Sequence, residues 1–152
     1  MRRKRIRISL LLGCVAVLLC APWAQPQASD RAEIERLVAD YVGLYAGNTL
    51  EAWNALFHPA LTVASPKADG TIQVRGLEEF FAAQKSYFAT GRKISERLEN
   101  VRIEEGRRIA RVTADFIFVD EGQERRGKLG LHAAKGNDGW KIVGIVFSYD
   151  GK

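Results

Sequence analysis

Cysteine and histidine are scarce in this sequence of 152 residues. Its two cysteines, Cys14 and Cys20, both lie in an apolar N-terminal stretch, and the chain contains two histidines. The sequence after residue 28 therefore cannot form a disulfide, a thiolate metal site or a cysteine nucleophile. The histidines are far apart and no close pair of acids accompanies them, so we expect no metal site. The core must be stabilised by packing alone.

Motifs that identify several enzyme classes are also missing. The sequence has no glycine-rich loop of the kind that binds phosphate groups, and no supported Ser/His/Asp arrangement for nucleophilic catalysis. These absences leave no cofactor to predict. They also remove nucleotide-dependent and triad-based reactions from the functions under consideration.

Long hydrophobic runs are limited to the N-terminus. Residues 1–7 carry five basic side chains, residues 8–24 are almost wholly apolar, and the polar sequence QPQASD follows. This order predicts a secretory signal peptide over residues 1–28 and a periplasmic or secreted domain over residues 29–152. Cleavage after Ala24 or after Ala28 fits the small-residue requirement, and Ala28 is slightly favoured. The membrane is then a partner only before cleavage.

Two other readings of the N-terminus stay open. The apolar run is short for a spanning helix, which needs about 20 residues, but an uncleaved N-terminal anchor is an alternative to the signal peptide. A lipoprotein modified at Cys14 is less favoured, because residues 15–24 would leave a second apolar run on the mature protein.

The net charge of +5 resides in this N-terminal segment. The five basic residues of residues 1–7 account for all of it, so the remaining sequence carries no net charge. The basic pairs at residues 107–108 and 125–126 are also close to acidic pairs at residues 104–105 and 120–121. Such alternation is typical of solvated strand ends, and we expect no nucleic-acid partner.

Two helices are predicted before the first proline of the domain. Apolar residues recur at helical spacing from Ile34 to Tyr45, after an Asp30/Glu33 pair with the spacing of a capping box, and Gly47 is placed as a left-handed stop. A second, shorter helix follows and ends at about residue 57, because Pro59 cannot continue it.

The remaining sequence changes period. Residues 61–65 and 71–75 predict a small hairpin, and a third helix starts at Gly76 and stops at Gly91. Residues 94–103, 108–119, 124–134 and 140–149 are strand-length segments separated by turn sequences. In the second of them, alternate residues from Ala110 to Phe118 form one apolar face that the helices must cover. The predicted class is α+β, with helices packed on a curved, mostly antiparallel sheet.

The order of these elements resembles the nuclear transport factor 2-like superfamily, whose cone-shaped fold is also called cystatin-like. The resemblance covers residues 30–149. The segment GNTLEAWNALFHPALTV and the segment VRGLEEFFA, which opens the third helix, are similar to the SnoaL-like branch and to the branch named for lumazine binding. The resemblance implies a cone of three N-terminal helices and a curved sheet. It does not select a function, because one fold serves many activities.

The ketosteroid isomerase branch offers the sharpest enzymatic comparison within that superfamily. Its chemistry needs a carboxylate base and an oxyanion hole made by a tyrosine and a protonated carboxylic acid. The resemblance places the tyrosine at Tyr41, the base at about Ser65 and the acid near Leu131. Two of these roles have no suitable side chain, so ketosteroid isomerase activity is not expected.

Three side chains are weak candidates for catalysis. Tyr41 and His58 form one candidate acid–base pair, since histidine titrates near neutral pH. Asp115 is a candidate base because apolar strand residues flank it, but its face also carries Arg111 and Thr113, which favours a structural role. His132 alternates with apolar neighbours and is expected to face solvent or another subunit.

The candidate ligand-binding residues are mostly aromatic and lie on the predicted helices and strands. Each of them could equally well fill the core. The set is Tyr41, Tyr45, Trp53, Phe57, His58, Phe80, Phe116, Phe118, Phe147 and Tyr149.

Three functions follow in order of preference. The first is an exported domain that binds a small apolar or aromatic molecule without identifiable catalysis. The second is a SnoaL-like enzyme, of isomerase or dehydratase type, that uses Tyr41 and His58. The third is an accessory module that forms a homodimer through the outer face of its sheet, where Arg111, Thr113, Ile117 and Val119 lie.

Overall fold

A computed structural model describes residues 29–151 of the chain. The predicted signal peptide lies outside the described residues. In chain order the elements are α1 (Asp30–Gly43), α2 (Leu50–Asn54), β1 (Phe57–Pro66), β2 (Ile72–Gly76), α3 (Leu77–Phe88), β3 (Ile94–Glu105), β4 (Ile109–Asp120), β5 (Gln123–Gly136) and β6 (Gly139–Tyr149). None of the helices in this part of the chain is both long enough and apolar enough to cross a bilayer.

The strands form one six-stranded sheet in the order β2-β1-β6-β5-β4-β3. All neighbours are antiparallel except β1 and β6, which run parallel. The α+β class and the mostly antiparallel sheet are therefore confirmed. The helices are not all N-terminal to the sheet, however, because β1 and β2 separate α3 from α1 and α2.

The long strands bury one face under the helices, as their alternation predicts. On β4, Ala110, Val112, Phe116 and Phe118 belong to the core cluster together with Ile34 of α1. The intervening residues of β4 point to the outer face, which the helices do not cover. We call the covered side the concave face and the other the convex face.

The start of α1 differs from the predicted capping box. Ser29 is the N-cap, and its hydroxyl accepts a hydrogen bond of 3.3 Å from the Ala32 N–H. The carboxylates of Asp30 and Glu33 instead bind Lys135 of β5. These two acids therefore fix α1 to the sheet.

The end of α1 also differs from the prediction. The helix ends at Gly43 with Leu44 as its C-cap in a right-handed conformation, and the Leu44 N–H donates to the Asp40 carbonyl. Gly47 is not among the residues with positive φ. Because Leu44 closes the helix without a left-handed residue, Gly47 is not the stop.

Pro59 lies inside β1 rather than after a helix. The second helix ends at Asn54, and β1 begins at Phe57, which pairs with Ile142 of β6. The register shifts between Phe57 and Thr62, and β2 pairs with β1 only from Thr62 onward. Pro59 therefore occupies an irregular stretch of strand without a β2 partner, where the missing N–H breaks no ladder.

The convex face contains one residue that behaves like core. Ile117 is fully buried, although the neighbouring positions on its face are exposed or half-buried. Its cross-strand neighbours are Arg97 and Arg126, whose aliphatic stems can cover it. Ile117 is thus not part of a surface that a partner could contact, contrary to its predicted place there.

Candidate functional site

A cavity of about 280 Å³ lies between the helices and the concave face of the sheet. Every helix and five of the six strands contribute to its wall, and aromatic side chains predominate. The lining residues are Tyr41, Tyr45, Trp53, Arg75, Phe80, Ala83, Gln84, Tyr87, Glu96, Phe116, Phe118, Arg125, Leu129, Ile145, Phe147 and Tyr149.

Trp53 of α2 joins the helical side of the wall into one aromatic cluster. Its ring centroid lies 5.8 Å from Tyr41 and 5.0 Å from Tyr45, and its Nε1 donates a hydrogen bond of 2.8 Å to the Tyr41 carbonyl. The Tyr45 hydroxyl donates to Gln84 Oε1 of α3 at 2.6 Å. These contacts fix α1, α2 and α3 to one another around the cavity.

The aromatic side chains on the sheet side of the wall come from β4 and β6. The Phe116 ring lies 6.1 Å from Phe147 and 5.1 Å from Tyr149, both in edge-to-face geometry. Gly127 of β5 pairs with Phe116 and with Tyr149. A Cβ at this glycine would lie 2.1 Å from the Ser148 carbonyl oxygen and 2.4 Å from Phe116 Cε1. The absent side chain therefore makes room for the Phe116 ring.

Glu96 of β3 places a carboxyl group in this largely apolar wall. Its Oε1 oxygen is buried without a hydrogen-bond partner. Burial raises the pKa of Glu96 to about 7, and a hydrogen bond with Tyr41 partly opposes that rise. Glu96 can therefore gain or lose a proton near neutral pH.

The tyrosines around Glu96 are held in their neutral form. Burial, followed by the charge of Glu96, raises the pKa of Tyr41 well above its ordinary value, and burial has the same effect on the pKa of Tyr45. Both hydroxyls thus remain hydrogen-bond donors at every physiological pH. The site combines a titrating carboxyl group with neutral phenols.

Tyr87 uses its hydroxyl for structure. It donates a hydrogen bond of 2.8 Å to Asp120 Oδ2, and Asp120 also forms an ion pair of 2.9 Å with Arg92. Asp120 is the buried charged residue of β4, and these two contacts compensate its burial. Tyr87 therefore contributes an aromatic edge to the cavity, and its hydroxyl fixes α3 to β4.

Most of the predicted ligand-binding residues line this cavity. Only Phe57 and His58 do not. Phe57 is buried behind Trp53, with 4.6 Å between the ring centroids. His58 is exposed on β1, and its Nδ1 accepts the Ala60 N–H at 3.1 Å.

The predicted acid–base pair of Tyr41 and His58 is therefore wrong. Tyr41 lies in the cavity wall and is buried, whereas His58 lies outside it and is exposed. An acid and a base must reach one substrate, and these two side chains do not share a cavity.

Asp115 lies on the convex face, as its Arg111 and Thr113 neighbours indicate. It binds Lys128 Nζ at 2.5 Å and Asn100 Nδ2 at 2.7 Å. These hydrogen bonds lower the pKa of Asp115, which is the opposite of what a buried base requires.

The positions that correspond to the base and the acid of ketosteroid isomerase supply no polar group to the cavity, whereas Tyr41 does line it. Ser65 is not in the wall, and Leu131 is buried in the core. Among the described residues, no cluster of histidine, aspartate and glutamate could hold a metal ion.

Glu96 is the functional candidate that the sequence reasoning missed. The signal was present in the alternation of β3, because Ile94, Glu96 and Leu98 are half-buried and the residues between them are exposed. A single acid in the apolar register of a strand indicates a buried carboxyl group.

The family model for the SnoaL-like domain matches residues 34–150 of this chain. No curated protein matches. Among solved structures, a nuclear transport factor 2-like protein with a cystatin-like fold from Novosphingobium aromaticivorans has a TM-score of 0.66 and 18% identity, covering 81% of this chain and 84% of that chain. The resemblance to the nuclear transport factor 2-like superfamily is thereby confirmed.

Two further solved structures illustrate the range of this fold. A protein of unknown function from Nostoc punctiforme has a TM-score of 0.65 and 18% identity, covering 83% of this chain and 95% of that chain. A candidate dehydratase from Streptomyces avermitilis has a TM-score of 0.65 and 14% identity, covering 81% of this chain and 97% of that chain. At such identities the similarity establishes the fold alone.

Proposed function

Given that this chain belongs to the SnoaL-like domain family, we propose that it is an exported protein that binds a small, largely apolar or aromatic molecule in its concave cavity. The observation that carries the proposal is the aromatic cavity of about 280 Å³. Ligand sites are concave and mostly apolar, with a few polar groups that set orientation. Glu96 and Gln84 supply such groups here.

The size of the cavity favours a molecule of one or two rings. It is at or below the lower end of the range of about 300–1,000 Å³ that holds drug-sized ligands. A flat ligand can stack on the Trp53 and Phe80 side or on the Phe116 and Tyr149 side of the wall.

Native mass spectrometry of the protein recovered after export tests this proposal. We expect a reproducible additional mass that disappears from Ala83→Trp, because Ala83 lines the cavity and an indole would fill it. Ala82→Trp is the matched control, since Ala82 is exposed on the same helix and outside this cavity. An additional mass that survives in Ala83→Trp would place the ligand elsewhere.

Glu96 favours a second function, an acid–base enzyme. A carboxyl group with a pKa of about 7 can remove a proton next to a carbonyl group or protonate a leaving hydroxyl, and neutral Tyr41 can donate to the oxygen that becomes negative. Isomerase and dehydratase reactions need these roles.

Deuterium exchange into a bicyclic ketone such as 2-tetralone tests this enzymatic function. We expect the protein to accelerate exchange of the protons beside the carbonyl, with a rate that rises as Glu96 ionises near pH 7. Glu96→Gln should remove the acceleration, and Asp115→Asn should keep it. Equal acceleration by the wild type and Glu96→Gln would leave binding as the function.

The convex face supports a third proposal, a homodimer. Val74, Ala64 and Val146 lie side by side across β2, β1 and β6, and Val74 and Val146 are 60% and 55% exposed. A second copy of the chain could cover this apolar row. Sedimentation should show a dimer for the wild type and a monomer for Val146→Glu, and a monomeric wild type would contradict the proposal.

A further inference from the structure

The cavity wall contains two arginines, Arg75 of β2 and Arg125 of β5. Neither forms an ion pair with a carboxylate among residues 29–151. Arg75 is half-buried and Arg125 is exposed, so solvent screens the charge of Arg75 less than that of Arg125. The two guanidinium groups are therefore the strongest polar feature of the cavity that has no protein counterion.

Arg125 is positioned by the aromatic rings beside it. Its guanidinium carbon lies 5.0 Å from the Phe118 ring centroid and 4.7 Å from that of Tyr149. Stacking of this kind holds the planar fork of an arginine in one orientation and leaves its N–H groups available at the edge. Arg125 is thus preorganised without being neutralised.

Arg75 adds a second positive charge from β2, an edge strand of the sheet. It is half-buried on the concave face, and its Nη2 donates a hydrogen bond of 3.0 Å to Gln73 Oε1. A neutral amide partner orients the guanidinium group but does not compensate its charge. β2 and β5 thus each present a cation to the same cavity.

The arginines of the convex face differ in this respect. Arg97 binds Glu124 at 2.8 Å, and Arg111 binds Glu104 at 2.7 Å. Arg97 and Arg111 thus have acidic partners where the sheet faces solvent, whereas neither arginine of the cavity has one among residues 29–151. Glu96, the acid of the same wall, forms no ion pair with either within the described region.

Burial orders the polar groups of the cavity by depth. The Glu96 Oε1 oxygen has no contact with solvent, whereas Arg75 is half-buried and Arg125 is exposed. The Glu96 carboxyl group is therefore more shielded from solvent than the Arg125 guanidinium group, which lies towards the mouth. A ligand that fits this arrangement has a polar neutral group or an apolar edge near Glu96 and an anionic group near Arg125.

We propose that the ligand of this cavity is an aromatic or otherwise flat apolar carboxylate, whose carboxylate binds Arg125 at the mouth while Arg75 adds a second positive charge. The inference rests on the proposed binding function and specifies its ligand class. Arginine matches a carboxylate with two parallel N–H donors, and such charge-assisted bonds are stronger than neutral ones.

Titration of the full-length mature protein with matched probes tests the ligand class. The probes are 2-naphthoate, its neutral amide 2-naphthamide and the cation 2-naphthylmethylammonium. Calorimetry measures the binding of each probe. We expect 2-naphthoate to bind at least about 10-fold more tightly than the amide, since a hydrogen bond to a charged group is worth more than a neutral one. The cation should bind most weakly, and added salt should weaken the binding of the carboxylate only.

Variants then assign the effect to Arg125. Arg125→Gln should lower the affinity for 2-naphthoate about 10-fold and leave that for 2-naphthamide within about 2-fold. Arg125→Lys keeps the charge but not the planar fork, so its affinity for 2-naphthoate should lie between those of the wild type and Arg125→Gln. Arg107→Gln is the control, because Arg107 is exposed in the β3–β4 turn and outside the cavity.

The outcomes separate this inference from the proposed function. If the amide binds as tightly as the carboxylate, or if Arg125→Gln weakens both equally, the cavity binds small molecules but not as carboxylates, and the inference is wrong. If none of the probes binds the folded wild type, the inference and the proposed binding of aromatic molecules fail together. A melting temperature for each variant shows that it is folded.

Discussion

Glu96 and Asp115 are carboxyl groups on adjacent strands of one sheet, and they lie on opposite faces of it. Glu96 lies on the concave face, where burial raises its pKa to about 7. Asp115 lies on the convex face, where hydrogen bonds from Lys128 and Asn100 lower its pKa. The covalent chemistry of the two groups is nearly the same, so their difference comes from their surroundings.

The two faces differ in the same way as a whole. On the convex face, charged residues occur in pairs, and Arg97 and Arg126 both bind Glu124. On the concave face, Glu96, Arg75 and Arg125 have no charged partner within the described part of the chain. Paired surface charges contribute little to stability, whereas unpaired charges in an apolar wall are available to a ligand.

The largest effect should come from removing the centre of the aromatic cluster that covers the concave face. Trp53 is 1% exposed and contacts four aromatic rings, so Trp53→Ala should lower the free energy of unfolding by about 3–5 kcal/mol. Urea denaturation measures this. Thr113→Ala, at an exposed position of the convex face, should change it by less than about 0.5 kcal/mol, and similar losses for both variants would show that the two faces do not differ in packing.

The second effect is a pH dependence that belongs to Glu96. Its folded-state pKa is about 7 against an ordinary value of 4.5, so the folded state binds the proton more tightly than the unfolded state does. The resulting stabilisation is present in full below about pH 4.5 and is lost as the pH rises to about 7. The shift corresponds to at most about 3 kcal/mol.

Glu96→Gln tests this pH dependence, because the amide does not titrate. We expect the variant to gain stability relative to the wild type between pH 4.5 and pH 8, as measured by urea denaturation at each pH. Glu99→Gln is the control, since Glu99 lies on β3 but faces solvent, where it binds Arg97 and Arg126. A wild type and a Glu96→Gln variant with parallel pH profiles would contradict the buried position of this carboxyl group.

The strands could be predicted from the sequence because their period is local. Alternation from Ala110 to Phe118 assigns every side chain of β4 to a face, and the observed burial follows it except at Ile117. The same rule applied to β3 places Glu96 among Ile94 and Leu98 and would have identified it.

The errors arose where tertiary contacts override local preference. The sequence pattern predicts a helix that ends just before Pro59. In the structure, Phe57 instead pairs in parallel with β6, and the Ile142 N–H donates to the Leu56 carbonyl at 3.0 Å. A distant strand thus decides the conformation of residues that sequence patterns assign to a helix. His58 lies outside the predicted site for the same reason, because it belongs to β1.

Ile117 qualifies the contrast between the faces. It lies on the convex face and yet is fully buried, and its cross-strand neighbours Arg97 and Arg126 bind Glu124 and Glu99. Ile117→Val should therefore lower the free energy of unfolding by about 1 kcal/mol, as in a core. Chemical denaturation checks this against Val101→Ala on β3, which is 42% exposed and should be near neutral.

The smallest effect should come from Asp115. Its pKa is lowered in the folded state, so the stabilisation that it contributes is present above its ordinary value of 3.8 and is lost as the pH falls below that value. Asp115→Asn should reduce the urea midpoint slightly at pH 7 in low salt and not at all in 1 M salt, because an exposed pair with Lys128 is screened. Unlike Arg125→Gln, it should leave ligand affinity unchanged. A loss of affinity in Asp115→Asn would mean that the convex face takes part in the site, and that unpaired charge alone does not identify where this protein binds its ligand.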